Sequence, residues 1–243
     1  MRSTRKLKSS QPDVPEPPAT RSLRTSARPV VAIIHSELDI SNGIRALRRR
    51  CPVIRRMNDL AGDPPLRLRQ PGFEGLARII VGQQVSVASA EAIWARTVAA
   101  VQPFEAATLL ALSDDALRAA GLSRPKVRTL RAVAMSISGG LDLAALSVAE
   151  EDVVREALCG ISGIGPWTAD VFALFCMGRA DAFAPGDLAL QVAAQMAFDL
   201  TDRPGPRELE ALAERWRPWR GVAARMLWAY YKVAKQASSG QPV

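Results

Sequence analysis

Residues 158–190, LCGISGIGPWTADVFALFCMGRADAFAPGDLAL, hold the residue types and spacings best suited to chemistry. Gly160 and Gly163-Ile164-Gly165 follow a helical pattern, and a second apolar-periodic helix starts at Pro166, a residue favoured at a first helical position. Two helices joined by a glycine-rich turn present the unpaired N–H groups of the second helix's first turn on a small concave surface, where the macrodipole favours an anion. Glycine allows close approach and left-handed backbone angles there. Such a surface suits a phosphate and reads no base, although a tight helix–helix turn with no ligand has the same pattern. Further on, Pro185-Gly186-Asp187 precedes Leu188, Val192 and Met196, so Asp187 reads as a helix N-cap. Its carboxylate would sit at a positive helix end, which favours the charged form.

Several other chemistries lack their residues. The sequence has one histidine, His35, which rules out a His-based triad or a multi-histidine metal site. Cys51, Cys159 and Cys176 are scattered, form neither a disulfide framework nor a zinc pattern, and are too few for a four-cysteine iron–sulfur cluster. No run of 18 or more apolar residues suggests a spanning helix, and the start lacks the apolar stretch of a secretory signal. The net charge of +8 favours a polyanionic partner. Residues 1–28 carry seven basic against two acidic side chains, or +5 of that total, and are rich in Ser and Pro. They are expected to form a disordered basic tail, whether as a loose grip on phosphate, as a solvated terminus or as a targeting segment.

The elements that must position the motif are helical. Ile79, Ile80, Val87, Ile93, Trp94 and Val98 recur at helix spacing on either side of a Gly82–Ser86 break. Ser113 starts a helix that stops at Gly121, and Ser123 opens another with Pro125 in its first turn. Ser147 and Glu150 match a capping box for a helix over 147–158, and a last helix runs from about Gly221 to Gln236. PVVAII at 29–34 is the best strand pattern, too short and solitary to build a sheet. The expected fold is all-α, a two-lobed helical bundle. Residues 29–240 make the domain, with a middle lobe of about 76–180 and a second lobe of 29–75 plus 181–240.

Five segments, in order, carry a resemblance: IIVGQQVSVASAEAIWAR (79–96), GLSRPKVRTL (121–130), LCGISGIGPWTA (158–169), AFAPGDLAL (182–190) and RWRPWRGVAARMLW (215–228). Together they resemble the helix-hairpin-helix DNA glycosylase superfamily over about residues 60–235, most nearly the bacterial inducible 3-methyladenine DNA glycosylase group. The amino-terminal β domain of that group has too few residues here and is expected to be absent.

The resemblance implies a monofunctional glycosylase of base excision repair. Such an enzyme hydrolyses the N-glycosidic bond of a flipped alkylated base, of the 3-methyladenine or 7-methylguanine type, and leaves an abasic site. It makes Asp187 the catalytic carboxylate, whose charge stabilises an oxocarbenium-like sugar and helps direct water. Trp167 stands where strand-cutting members carry a lysine, so no Schiff base is expected. Trp167 and Trp228 match pocket tryptophans, whose faces attract cationic bases by up to about 2 kcal/mol when desolvated. Val171 stands where a further pocket aromatic can occur, and Trp94, Trp216 and Trp219 read as core. Gln84 matches the residue wedged into the duplex, with helix capping by Gln83 or Gln84 as the competing reading. Thr168 and the amides around Gly163 and Gly165 are the implied phosphate contacts, and Lys126 reads as a surface or phosphate-contacting residue. The backbone carbonyls of Cys159, Ile161 and Ile164 would hold a structural Na+ or K+; no other cofactor is expected. The implied partner is double-stranded DNA, the implied state a monomer with no membrane association, and the location the bacterial cytoplasm, or the nucleus if eukaryotic. A non-catalytic helix-hairpin-helix anchor and a glycosylase for another class of damaged base are the alternatives.

Overall fold

A computed structural model describes residues 32–238; the expected basic tail at 1–28 lies outside them. Thirteen α-helices follow in this span: α1 (Glu37–Arg50), α2 (Pro52–Ala61), α3 (Phe73–Gly82), α4 (Val87–Ala100), α5 (Ala106–Ala111), α6 (Asp114–Ala119), α7 (Arg124–Ser138), α8 (Leu143–Leu146), α9 (Glu151–Cys159), α10 (Pro166–Phe175), α11 (Leu188–Ala197), α12 (Pro206–Ala213) and α13 (Arg220–Ser238). A single 3-10 turn, Glu214–Trp216, leads into α13. Among the described residues β structure is limited to one isolated bridge, Ile33 to Arg179, so the all-α expectation holds. The bridge is flanked by Ile34 N–H donating to Gly178 O at 2.7 Å and Ala180 N–H to Ala32 O at 2.9 Å, which fastens the start of the domain to the link after α10.

Capping chemistry sets many of the helix starts. Ser36 accepts from the Asp39 N–H while the Asp39 carboxylate reaches back to the Ser36 N–H, a closed capping box for α1. Ser86 caps α4, Ser113 caps α6 and Asp187 caps α11, each through a side-chain oxygen. The box expected at Ser147 and Glu150 does not form. Asp142 instead accepts from the Ala144 and Ala145 N–H groups and winds residues 143–146 into the single turn α8. Ser147 ends that turn, its hydroxyl donating back to Ala144 O at 2.6 Å, so the next helix starts only at Glu151.

Apolar faces then draw the helices together. Helix α13 lies against α1, α2 and α11; α7 lies against α3 and α5; α10 lies between α3 and α9. Trp216, Phe172, Ile54, Leu130 and Met226 are fully or almost fully buried within the resulting core. Trp94 and Trp216 are core residues as expected, and Trp219 packs against the same cluster. The approach of α1 to α13 requires Gly43: a Cβ there would meet Val222 Cγ2 at 2.7 Å.

Candidate active site

The turn between α9 and α10 has the geometry its glycines imply. Gly163 has φ +88, a left-handed angle, and a Cβ on it would meet Thr129 Oγ1 at 2.0 Å, so α7 packs directly under the turn. Ile164 N–H donates to Ile161 O at 3.0 Å and Thr168 N–H to Gly165 O at 3.0 Å. The N–H groups of Gly163, Gly165 and Trp167 have no acceptor among the described residues, and Gly163 is exposed. These three N–H groups are donors left over by the turn and the first turn of α10. Of the three carbonyls considered for a monovalent cation, that of Ile161 accepts from Ile164 N–H, while those of Cys159 and Ile164 have no donor among the described residues. Two such hard, neutral oxygens with spare lone pairs on a third fit an alkali cation. No cluster of three or more His, Cys, Asp or Glu side chains able to hold a metal occurs among the described residues.

Asp187 sits at the N-terminus of α11 with three donors on its two oxygens. Leu190 N–H donates to Oδ1 at 3.0 Å, Trp228 Nε1–H to Oδ1 at 3.1 Å, and Trp167 Nε1–H to Oδ2 at 2.8 Å. The preceding Pro-Gly step is steadied by Gln191, whose amide donates to Pro185 O at 3.0 Å from the buried side of the same helix. Three helices thus converge on one carboxylate: α10 through Trp167, α13 through Trp228 and α11 through its own first turn. All three donors are neutral, and no Lys or Arg nitrogen lies within 4 Å of Asp187 among the described residues. Hydrogen bonds to a charged acceptor fix its position strongly without cancelling its charge.

Asp187, Trp167 and Trp228 open onto a cavity of about 710 Å³. Val171 and Phe175 follow Trp167 at successive four-residue steps along α10, so the three share one face of that helix and line the same wall. Val171 is smaller than the aromatic that can occur at its position in the resembled group, and Phe175, one turn further on, supplies a third ring: it packs on Trp228 with centroids 5.4 Å apart. Phe175 is a pocket residue the sequence reading missed, as are Arg69 and Arg225. The four-residue spacing from Trp167 would have pointed to Phe175. Arg225 sits one turn before Trp228 on α13, 3% exposed, and donates to Leu66 O, Gly221 O and Leu174 O at 3.2, 3.0 and 2.7 Å. Burial pushes its guanidinium down to about 10, which leaves it charged at neutral pH.

One sequence assignment is corrected and another is refined. Thr168 does not face a phosphate: it is 2% exposed, and its hydroxyl accepts from Gln83 Nε2–H at 2.8 Å. That bond ties α10 to the end of α3, where Gln83 is the C-cap. Lys126 is partly exposed, as the surface reading has it; its ammonium donates to Val81 O at 2.7 Å, covering a carbonyl at the C-terminus of α3, and partial burial holds it below its ordinary value. Both groups therefore brace the α3–α4 turn. At the tip of that turn Gln84 is exposed with φ +55, while Gln83 occupies the C-cap position of α3, its backbone N–H donating to Ile80 O.

The comparisons with known proteins agree with this geometry. Residues 77–218 match the profile described as "HhH-GPD superfamily base excision DNA repair protein", more than half of the chain. DNA-3-methyladenine glycosylase 2 of Escherichia coli is 32% identical over 184 residues, covering 69% of this chain and 61% of that protein. A crystal structure of a DNA-3-methyladenine glycosidase from Bacillus halodurans superposes with a TM-score of 0.69 at 31% identity, covering 83% of this chain and 92% of that one. The Schizosaccharomyces pombe 3-methyladenine DNA glycosylase in complex with abasic DNA shares the fold, with a TM-score of 0.71 at 24% identity over 77% of this chain and 95% of that one. The chain spans only about a third of other curated bacterial relatives it matches, 38% of one from Mycobacterium tuberculosis and 33% of one from Bacillus subtilis. By the length of the profile match and the order of its motifs, the chain belongs to the HhH-GPD superfamily of base excision DNA repair proteins.

Proposed function

We propose that the protein is a monofunctional DNA glycosylase acting on alkylated bases, of the 3-methyladenine and 7-methylguanine type, in double-stranded DNA. The observation that carries this reading is the Asp187 carboxylate, held by two indole N–H groups and a helix N-terminus, without a resident cation, at the wall of an aromatic cavity. A flipped base enters the cavity against the indole faces, and its sugar comes to rest beside Asp187. As the N-glycosidic bond breaks, the electron pair leaves with the base and C1′ becomes oxocarbenium-like. The fixed negative charge stabilises that cation in a site of low dielectric. Water then adds its oxygen to C1′, its proton passes to solvent or the departed base, and an abasic site remains.

Other features support the same reading. Trp167 occupies the position of the lysine that strand-cutting members use, and its indole N–H is committed to Asp187, so base removal without a Schiff base follows. The amides of Gly163, Gly165 and Trp167 are suited to a backbone phosphate. Gln84, exposed on a left-handed turn beside the cavity, is placed to fill the gap a flipped base leaves. A Na+ or K+ on the Cys159, Ile161 and Ile164 carbonyls would add positive charge beneath that phosphate and hold the turn. Similarity to glycosylases described as acting on 3-methyladenine supports the substrate class. We expect the protein to act as a monomer.

The test is to incubate wild type and Asp187→Asn with methylated duplex DNA and measure free 3-methyladenine and 7-methylguanine. Wild type should release both, and the variant should be slower by at least about a hundredfold. Undiminished release by the variant would refute the mechanism, and no release by wild type would favour a non-catalytic DNA anchor.

A further inference from the structure

The cavity holds more positive charge than a receptor for cationic bases calls for. Arg67, Arg69, Arg225 and Lys232 line it, against Asp63 and Asp187. Asp63 is held by the Ser41 hydroxyl at 2.8 Å and the Asn58 amide at 2.9 Å, neutral donors that leave its charge in place, so four cations face two carboxylates. Arg67 and Lys232 are exposed, where a cation can serve a phosphate whatever base is bound, while the exposed Arg69 reaches inward to the Phe175 ring. Arg225 is different. It is buried, its donors go to three backbone carbonyls, and no carboxylate lies within 4 Å of it among the described residues. Arginines this deep are ordinarily paired with an acid; unpaired, this one leaves an uncompensated positive charge in the cavity wall.

The aromatic wall is also partly spent. The Arg225 guanidinium lies 4.9 Å from the Phe175 ring centre and that of Arg69 lies 5.9 Å away, while the Trp228 ring packs at 5.4 Å. The ring quadrupole of Phe175 thus already serves two of the protein's own cations, which reduces what it offers a third.

We infer that Arg225, assisted by Arg69, determines specificity by charge: it penalises bases that are cationic at neutral pH and shifts the cavity's preference toward neutral base adducts such as ethenoadenine. This rests on the glycosylase reading above and narrows its substrate class. Cationic bases remain substrates, because their glycosidic bonds are already weak and Asp187 acts on the sugar, but they are handled less well than an uncharged wall would allow.

The experiment measures kcat/KM on duplexes carrying a single ethenoadenine or a single 7-methylguanine for wild type, Arg225→Met, Arg225→Lys and Arg69→Gln. The neutral-to-cationic ratio should fall about fifteenfold in Arg225→Met, the effect of one unit charge about 10 Å away at an effective dielectric of about 20, and recover in Arg225→Lys. In Arg69→Gln, an exposed position that spares the fold, it should fall about threefold. An unchanged ratio in Arg225→Met overturns the inference, as does an equal loss on both substrates in Arg69→Gln should Arg225→Met fail to fold. Release of neither base by wild type is a different failure, that of the glycosylase reading itself.

Discussion

Helix α10 meets a carboxylate on each of two faces, and the two are held in opposite ways. On the face toward α9, Asp170 is 5% exposed and receives Arg155 Nη2–H at 2.7 Å. Burial still outweighs the guanidinium there and pushes the Asp170 carboxyl up to about 7. On the face toward the cavity, Trp167 donates to Asp187, which is half-buried and receives three neutral N–H groups. A resident cation suits a carboxylate that fastens helices, because it offsets the charge burial would otherwise strand. The same cation would ruin a carboxylate that must stabilise a transient positive sugar. Neutral donors solve the second problem, since they fix both oxygens and leave the charge available.

Four experiments should break or sharpen this contrast. The largest effect concerns stability: Asp170→Ala removes the acceptor of a part-buried Arg155 and should cost about 2 kcal/mol, read as a lower midpoint in chemical denaturation, with base release by the folded protein nearly unchanged. Next, Trp167→Phe and Trp228→Phe keep a ring in the wall but delete one donor to Asp187. Each should slow single-turnover release about tenfold, with DNA affinity retained, as expected for a lost hydrogen bond to a charged group. A pure stacking role would leave the rate unaltered.

How much of this was legible beforehand depends on sequence distance. Pro185-Gly186-Asp187 signals a helix start from neighbouring residues alone, and Gly163 to Pro166 does the same for the hairpin; both are where local chemistry put them. Ser147 and Glu150 fit a local rule equally well, yet Asp142, five residues earlier, captured the chain first. Thr168 lies in a helix's first turn and reads as exposed; a glutamine 85 residues away decides that it is buried. The convergence of Trp167 and Trp228 on one carboxylate spans 20 and 41 residues, and no pattern within either helix encodes it. Phe175 was within reach through its spacing from Trp167, and Arg225 through its place among the apolar residues of α13.

Smaller effects test the periphery of the same contrast. Gln84→Ala shortens an exposed side chain that supports no helix cap, so base release should fall about threefold while the midpoint stays within about 0.5 kcal/mol of wild type. A last test is a pH effect on stability. A carboxyl raised in the folded state, as Asp170 is from 3.8 to about 7, binds its proton more tightly folded than unfolded. Stability from that source is present at low pH and is lost as pH rises toward 7. Burial raises Glu151 as well, while Asp39, Glu91 and Glu214 are lowered and lose their contributions only below their ordinary range. The thermal midpoint should therefore be higher at pH 5.5 than at pH 8, and Asp170→Asn should flatten the difference.

The most direct measurement is the single-turnover rate of base release from methylated duplex by Asp187→Asn, with affinity for an abasic-site duplex determined on the same preparation. Asparagine caps a helix as well as aspartate does, so the fold and the α11 terminus should survive. The charge-stabilisation account predicts a rate lower by at least about a hundredfold with affinity changed no more than about threefold. Release at the wild-type rate would contradict it.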